Sequence, residues 1–184
     1  MEKSVLVPIA YGSEELETVT IIDLLRRAEI KVTVAGDNEM VTFSRGVKII
    51  PDVLLSEISE YENFGAIVLP GGSQGVDSFI EDEHLFEIVK YNIRKGNLIC
   101  AICAAPLFLT HHKLIDETVT ITSFPDVKDE LNHSNYSEDD VVESKNFITS
   151  RSAGTAIDFA LRIIGTMTDI ETAQKVAKEI CYKY

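Results

Sequence analysis

Three junctions in this sequence set reactive side chains beside small or turn-forming residues. The first is Ala101-Ile102-Cys103-Ala104-Ala105-Pro106. A very apolar run over residues 98–102 leads into Cys103, and Pro106 fits a following helix only within its first turn. Cys103 therefore belongs at a strand-to-helix turn, and the alanines two positions to either side suit the crowded bend of a nucleophile elbow. Amides exposed at a helix N-terminus lower a thiol's pKa, so the spacing predicts a reactive thiolate. The competing reading is a buried packing cysteine.

The second junction is Gly12-Ser13-Glu14-Glu15-Leu16-Glu17. Ser13 is the expected cap of a helix running from about residue 14 to 28. On it Glu17, Ile21, Leu24 and Ala28 fall on one stripe, so Glu17 shares the face that packs on a sheet. Burial raises a carboxyl pKa, which makes Glu17 a candidate general acid/base poised near neutrality. Glu14 and Glu15 read as first-turn charges that complement the helix dipole. The third junction, Leu69-Pro70-Gly71-Gly72-Ser73, frees glycine amides to point at an anion. Together with the amide of Ala104 they would form a two-donor oxyanion site.

Other candidates carry less. Cys100 and Cys103 form a C-x-x-C, but Cys100 lies within the strand run, where an offset of three points side chains to opposite faces. A zinc site lacks a second ligand pair. Cys181 reads as packing. His111 and His112 lie roughly 12 Å along a helix from Cys103 and read as surface residues, and His84 reads as solvated. His133, in the polar loop over residues 132–140, stays open. Glu138-Asp139-Asp140 reads as a solvated loop. No nucleotide-binding glycine motif is present, so no cofactor is implied.

These residues need a scaffold. Short β-branched runs at residues 5–10, 31–35, 66–69, 97–102, 119–122 and 147–149 alternate with helical stretches, which predicts a mostly parallel sheet covered on both faces. Residues 42–50, turning at Arg45-Gly46, and 141–148, turning at Ser144-Lys145-Asn146, read as antiparallel hairpins added at the sheet edges. Ligands of such sheets sit beyond the carboxyl ends of the strands, where the three junctions lie. The amphipathic stretch 170–184 is free to cover the sheet or join an interface.

The chain has 184 residues and a net charge of −13, with a pI near 4.7 and a mean hydropathy of +0.07. That describes one domain over residues 1–184, able to bury close to ~70% of its unfolded surface. Its acidity opposes nucleic acid and anionic membrane, and no apolar run approaches the ~20 residues of a membrane span. Three cysteines suit a reducing compartment. Met1-Glu2-Lys3-Ser4 shows no secretory leader, so a cytoplasmic address is expected.

The chain resembles the ThiJ/PfpI superfamily, in its parkinsonism-protein (DJ-one) branch. The resemblance rests on residues 12–18, Arg26-Arg27-Ala28, residues 31–36, Val68-Leu69-Pro70-Gly71-Gly72, residues 101–106 and Thr149-Ser150-Arg151 with Gly154-Thr155. It implies a flavodoxin-like three-layer α/β sandwich and a homodimer, with an oxidisable cysteine hydrogen-bonded to a protonated glutamate; those roles fall on Cys103 and Glu17. It further implies cofactor-independent glyoxalase chemistry on methylglyoxal and glyoxal, repair of early glycation adducts, oxidative-stress sensing and chaperoning of client proteins. The family's oxyanion donors match Gly72 and Ala104. Arg27 and Arg45 match basic residues near the site at the dimer interface. Phe124-Pro125 stands where relatives place a histidine before the proline, so a Cys–His pairing is absent unless His133 substitutes. Ala104 stands where protease-like members carry a histidine. Ala105 replaces the usual glycine and narrows the space under the elbow.

Overall fold

A computed structural model describes residues 3–133 and 135–183 of the chain. Met1 and Glu2 of the N-terminal segment, Ser134 in the polar loop and Tyr184 lie outside the described residues. The elements run β1 (Ser4–Ile9), α1 (Glu15–Arg27), β2 (Lys31–Gly36), β3 (Val41–Thr42), β4 (Lys48–Ile49), β5 (Val53–Leu54), β6 (Ala66–Leu69), α2 (Ser73–Glu81) and α3 (Glu83–Arg94). They continue with β7 (Leu98–Ile102), α4 (Pro106–His111), β8 (Val141–Ser144), β9 (Phe147–Ser150), α5 (Ala156–Met167) and α6 (Ile170–Glu179).

Seven strands form one sheet in the order β5-β2-β1-β6-β7-β9-β8, parallel except for the β8 edge. The run β2-β1-β6-β7-β9 is the flavodoxin-like order. Because both faces are covered, β6 and, after Ser4, β1 are apolar without alternation, and every residue of each is buried. The pleat then divides them. Val5, Val7, Cys100 and Ile102 pack toward α1, α5 and α6, and Leu6, Ile67, Leu69, Ile99 and Ala101 toward α2, α3 and α4. The chain reverses direction across the sheet between β1 and β6. Their carboxyl ends form the switch point beside which β7 delivers Cys103.

Several expectations are corrected. The hairpin over residues 42–50 forms, but β3 and β4 pair only with each other and stand off the main sheet. Among the described residues, 119–122 make no strand, and the ladder contact there is a bridge from Ile121 to Tyr136. Side chains take the strand's place, since Ser144 Oγ accepts from the Thr120 amide at 3.1 Å and Thr149 Oγ1 from the Thr122 amide at 2.9 Å. His84 is half-buried with Nε2 2.9 Å from the Ile58 carbonyl, and the His112 ring stacks on Phe86 at 4.5 Å. Cys181 does not pack: it lies past the end of α6 at a left-handed backbone position (φ 57°), exposed. The C-terminal helix covers α5 through Ala173, Val176 and Ala177. No helix among the described residues is long and apolar enough to cross a membrane.

Candidate active site

The β1–α1 turn carries Glu17. Ser13 is not the helix cap; its Oγ accepts from the Ala10 amide at 3.1 Å and closes the turn behind the strand. Glu14 caps instead, its carboxylate accepting from the Glu17 amide at 2.7 Å. With the helix started there, Glu17 falls on the buried face with Thr18, Ile21 and Leu24 and is 0% exposed. Its Oε2 accepts from the Gly71 amide at 2.9 Å, whereas Oε1 has no hydrogen-bond partner among the described residues. Burial pushes the Glu17 carboxyl up to about 7, and the charge of Glu14 adds to the rise. The Gly71 amide, the Cys103 thiol and the Ala153 amide act against it.

Cys103 sits at the end of β7 with φ 64°, the left-handed strain of a sharp elbow. Two bonds hold that conformation: the Cys103 amide donates to the Ser150 carbonyl at 2.9 Å, and the Phe124 amide donates to the Cys103 carbonyl at 2.8 Å. Pro106 opens α4 at its first turn. Six residues are too few for a self-sufficient helix, so the fully buried Phe108 and Leu109 anchor it. Because the elbow breaks strand alternation, Cys103 packs on the α1 and α5 side together with Cys100, and not on the opposite face. The two junctions are thereby brought together.

The lowered thiol pKa expected from a helix end is also corrected. While Glu17 is ionised, burial, that neighbouring charge and the S–H bond to the carboxylate push the Cys103 thiol up to about 12. The amides of Gly72 and Ala104 face the sulfur and pull the other way. A proton on Glu17 removes the charge and reverses the bond, so the pair holds its proton jointly.

Gly71 and Gly72 are required here for different reasons. A Cβ on Gly71 would lie 2.5 Å from Cys103 Cβ and 2.7 Å from Glu17 Oε2. Gly72 has φ +92°, and a Cβ there would strike the Gly12 carbonyl and lie 2.7 Å from the Glu14 amide. Gly71→Ala is therefore expected to force the carboxyl and the thiol apart and to reduce turnover by roughly 10²-fold, measured as kcat/KM. An unchanged kcat/KM would show that their spacing does not matter.

Around the pair opens a cavity of about 450 Å³, lined by Glu14, Ser44, Arg45, Gln74, Phe124 and Val127 among others. Arg45 reaches it from the β3–β4 hairpin. Glu15, read from sequence as a dipole charge, fastens that hairpin: its carboxylate accepts from Ser44 Oγ and the Arg45 amide, each at 2.7 Å. Burial pushes Glu15 up, yet these bonds and the Val47 amide outweigh it and hold the group low. Glu15→Ala is expected to raise KM roughly tenfold and leave kcat nearly unchanged, because one wall loosens while the reacting groups stay. Steady-state kinetics at pH 8 check this.

Arg27 is not brought to the cavity within one chain. It ends α1, roughly 15 Å along the helix from Glu17, and pairs with Asp23 at 2.8 Å. Nor does His133 substitute for a partner histidine: it lines a separate cavity of about 520 Å³, with Nε2 2.8 Å from the Val119 carbonyl. Sequence reasoning missed the Ala153 amide beside Glu17, for which no local signal exists, and the Glu15 clamp, which depends on where a distant hairpin folds.

The DJ-1/PfpI family model matches residues 3–166. The Drosophila melanogaster Protein dj-1beta is 42% identical over the whole of both chains. A Caenorhabditis elegans relative named glutathione-independent glyoxalase DJR-1.2 is 35% identical, covering 98% of this chain and 97% of its own. The solved structure of oxidised Toxoplasma gondii DJ-1 superposes with a TM-score of 0.94 at 37% identity, covering 98% of this chain and 99% of that one. The chain belongs to the DJ-1/PfpI family.

Proposed function

We propose that this protein is a cofactor-independent glyoxalase that converts methylglyoxal and glyoxal, or their early glycation adducts, in defence against carbonyl and oxidative stress. The observation that carries the reading is the pairing of a buried carboxyl, titrating near 7, with a thiol that faces two backbone amides. The nematode relative's name supports it.

The chemistry needs one base. Ionised Glu17 takes the Cys103 proton, and the thiolate attacks the aldehyde carbon, forming a C–S bond as the carbonyl π pair moves to oxygen. The amides of Gly72 and Ala104 hold that oxyanion. Glu17 returns its proton to the oxygen, giving a hemithioacetal. It next removes the hydrogen on the same carbon, giving an enediolate, and returns it to the adjacent ketone carbon while the hydroxyl proton passes to the ketone oxygen, so one carbon is oxidised as its neighbour is reduced. Water attacks the resulting thioester, the C–S bond breaks, and lactate leaves. The test is lactate formation from methylglyoxal by fully reduced protein without added thiol. No lactate under those conditions would overturn the reading.

A second reading shares the site. Cys103 is partly exposed, and the amides that would hold an oxyanion equally suit the oxygens of a sulfinic acid. A relative solved in oxidised form favours this use, a redox sensor or chaperone switched at Cys103.

We place the protein in the cytoplasm as one domain and as a homodimer. Leu16 and Val19 on α1, with Val47 and Ile50 beside the β3–β4 hairpin, are 54%, 46%, 44% and 80% exposed. A second copy covering this face would also steady Arg45. Ile50→Glu is expected to shift the protein to monomer in light-scattering chromatography; an unchanged mass would place the interface elsewhere.

A further inference from the structure

The cavity at Cys103 has two unlike walls. Glu14, Ser44 and Arg45 make one of them polar, and Phe124 and Val127 make the other apolar. Of the eight phenylalanines, every one except Phe124 is buried in or packed against one of the two cores. Phe124 stays half-exposed and joins neither. It is nonetheless tied to the nucleophile, since its amide donates to the Cys103 carbonyl at 2.8 Å. An aromatic residue that lines the cavity of the reacting sulfur but lies outside the core is free to pack against a ligand. The room agrees: about 450 Å³ falls within the roughly 300–1,000 Å³ of pockets that enclose drug-sized molecules, far more than methylglyoxal fills.

We propose that Phe124, backed by Val127, is a specificity-determining residue that makes this site prefer 2-oxoaldehydes bearing a large apolar or aromatic substituent over methylglyoxal and glyoxal. The inference rests on the glyoxalase reading for its substrate class. The aldehyde carbon must meet Cys103 beside Glu17, which is fully buried, so the group on the ketone carbon extends outward between the two walls. An alkyl or aryl group stacks on Phe124, whereas glyoxal presents only hydrogen there. Arg45, exposed on the cavity's polar side, remains solvated.

The experiment has two arms. In the first, kcat/KM is measured for phenylglyoxal and methylglyoxal with wild type, Phe124→Ala and Phe124→Tyr. In the second, Cys103 is alkylated by 2-chloroacetophenone and by chloroacetone; the thiolate displaces chloride and a C–S bond forms, so no turnover is needed. The aromatic-to-aliphatic ratio of alkylation rates is expected to fall about tenfold in Phe124→Ala and to persist in Phe124→Tyr. A ratio unchanged in Phe124→Ala, or lost equally in Phe124→Tyr, would overturn the proposal. So would an active wild type that handles phenylglyoxal no better than methylglyoxal. Absence of turnover with either aldehyde, alongside an alkylation ratio that follows the ring, would instead remove the glyoxalase reading and leave the aromatic wall standing.

Discussion

Glu17→Gln is expected to cost most of the activity while stabilising the fold at alkaline pH. The loss follows from the single-base scheme: a positioned acid/base contributes roughly 10²–10⁴-fold, and glutamine transfers no proton. In the wild type the working base is the ionised carboxylate, so kcat/KM should rise with pH through about 7, where Glu17 titrates. The variant's residual rate should lack that rise. The stability gain follows by linkage. A carboxyl whose pKa climbs from 4.5 to about 7 on folding binds more protons folded than unfolded. Its favourable contribution is complete below 4.5 and is lost as pH rises through 7. Above that, the fold keeps an ionised carboxylate buried at a cost of roughly 3 kcal/mol, which glutamine avoids. Denaturant unfolding at pH 8 should favour Glu17→Gln by an amount of that order, shrinking to nothing near pH 4. Equal stability differences at both pH values would show that Glu17 is not strained by ionisation.

How much of this site the sequence discloses depends on how local each cause is. Pro106 and the flanking alanines announce the elbow because both constraints act within one turn. Glu17 is legible because helical spacing alone puts it on the stripe with Ile21 and Leu24. The charge state of Cys103 is not legible. A helix end argues for a low pKa, but burial and Glu17, brought from α1 on the same face of the sheet, reverse it. Residues 119–122 mislead for the same reason. Their β-branched pattern is that of a strand, yet Ser144 and Thr149 offer side-chain oxygens where a strand would offer carbonyls. Ser13, Glu14 and Glu15 exchange their expected duties because capping depends on the path of the loop. His133 fails on distance, which residue type cannot convey, and Arg27, expected at a dimer interface, lies away from the cavity within one chain.

Cys103→Ser is expected to bring lactate formation down to the buffer background, and its contrast with Glu17→Gln fixes the order of steps. Serine keeps the shape of the elbow, but its hydroxyl ionises far less readily than a thiol, and Glu17 near 7 is too weak a base to compensate. The other cysteines cannot stand in. Cys100 is buried in β7 with its thiol pushed up by desolvation, and Cys181 lies exposed beyond α6. Cys181→Ser should therefore turn over methylglyoxal at the wild-type rate. Glu17 serves both thiol deprotonation and the later shuttle, so at pH 8 Glu17→Gln should form the hemithioacetal at Cys103 only slowly, through the minor thiolate fraction, and then stall. Intact-mass analysis after a prolonged methylglyoxal incubation should show that adduct in Glu17→Gln and none at this position in Cys103→Ser. Lactate from Cys103→Ser would remove the thiol from the mechanism. If Glu17→Gln formed lactate at the wild-type rate, neither thiol deprotonation nor the shuttle would need the carboxylate, and the single-base scheme would fall.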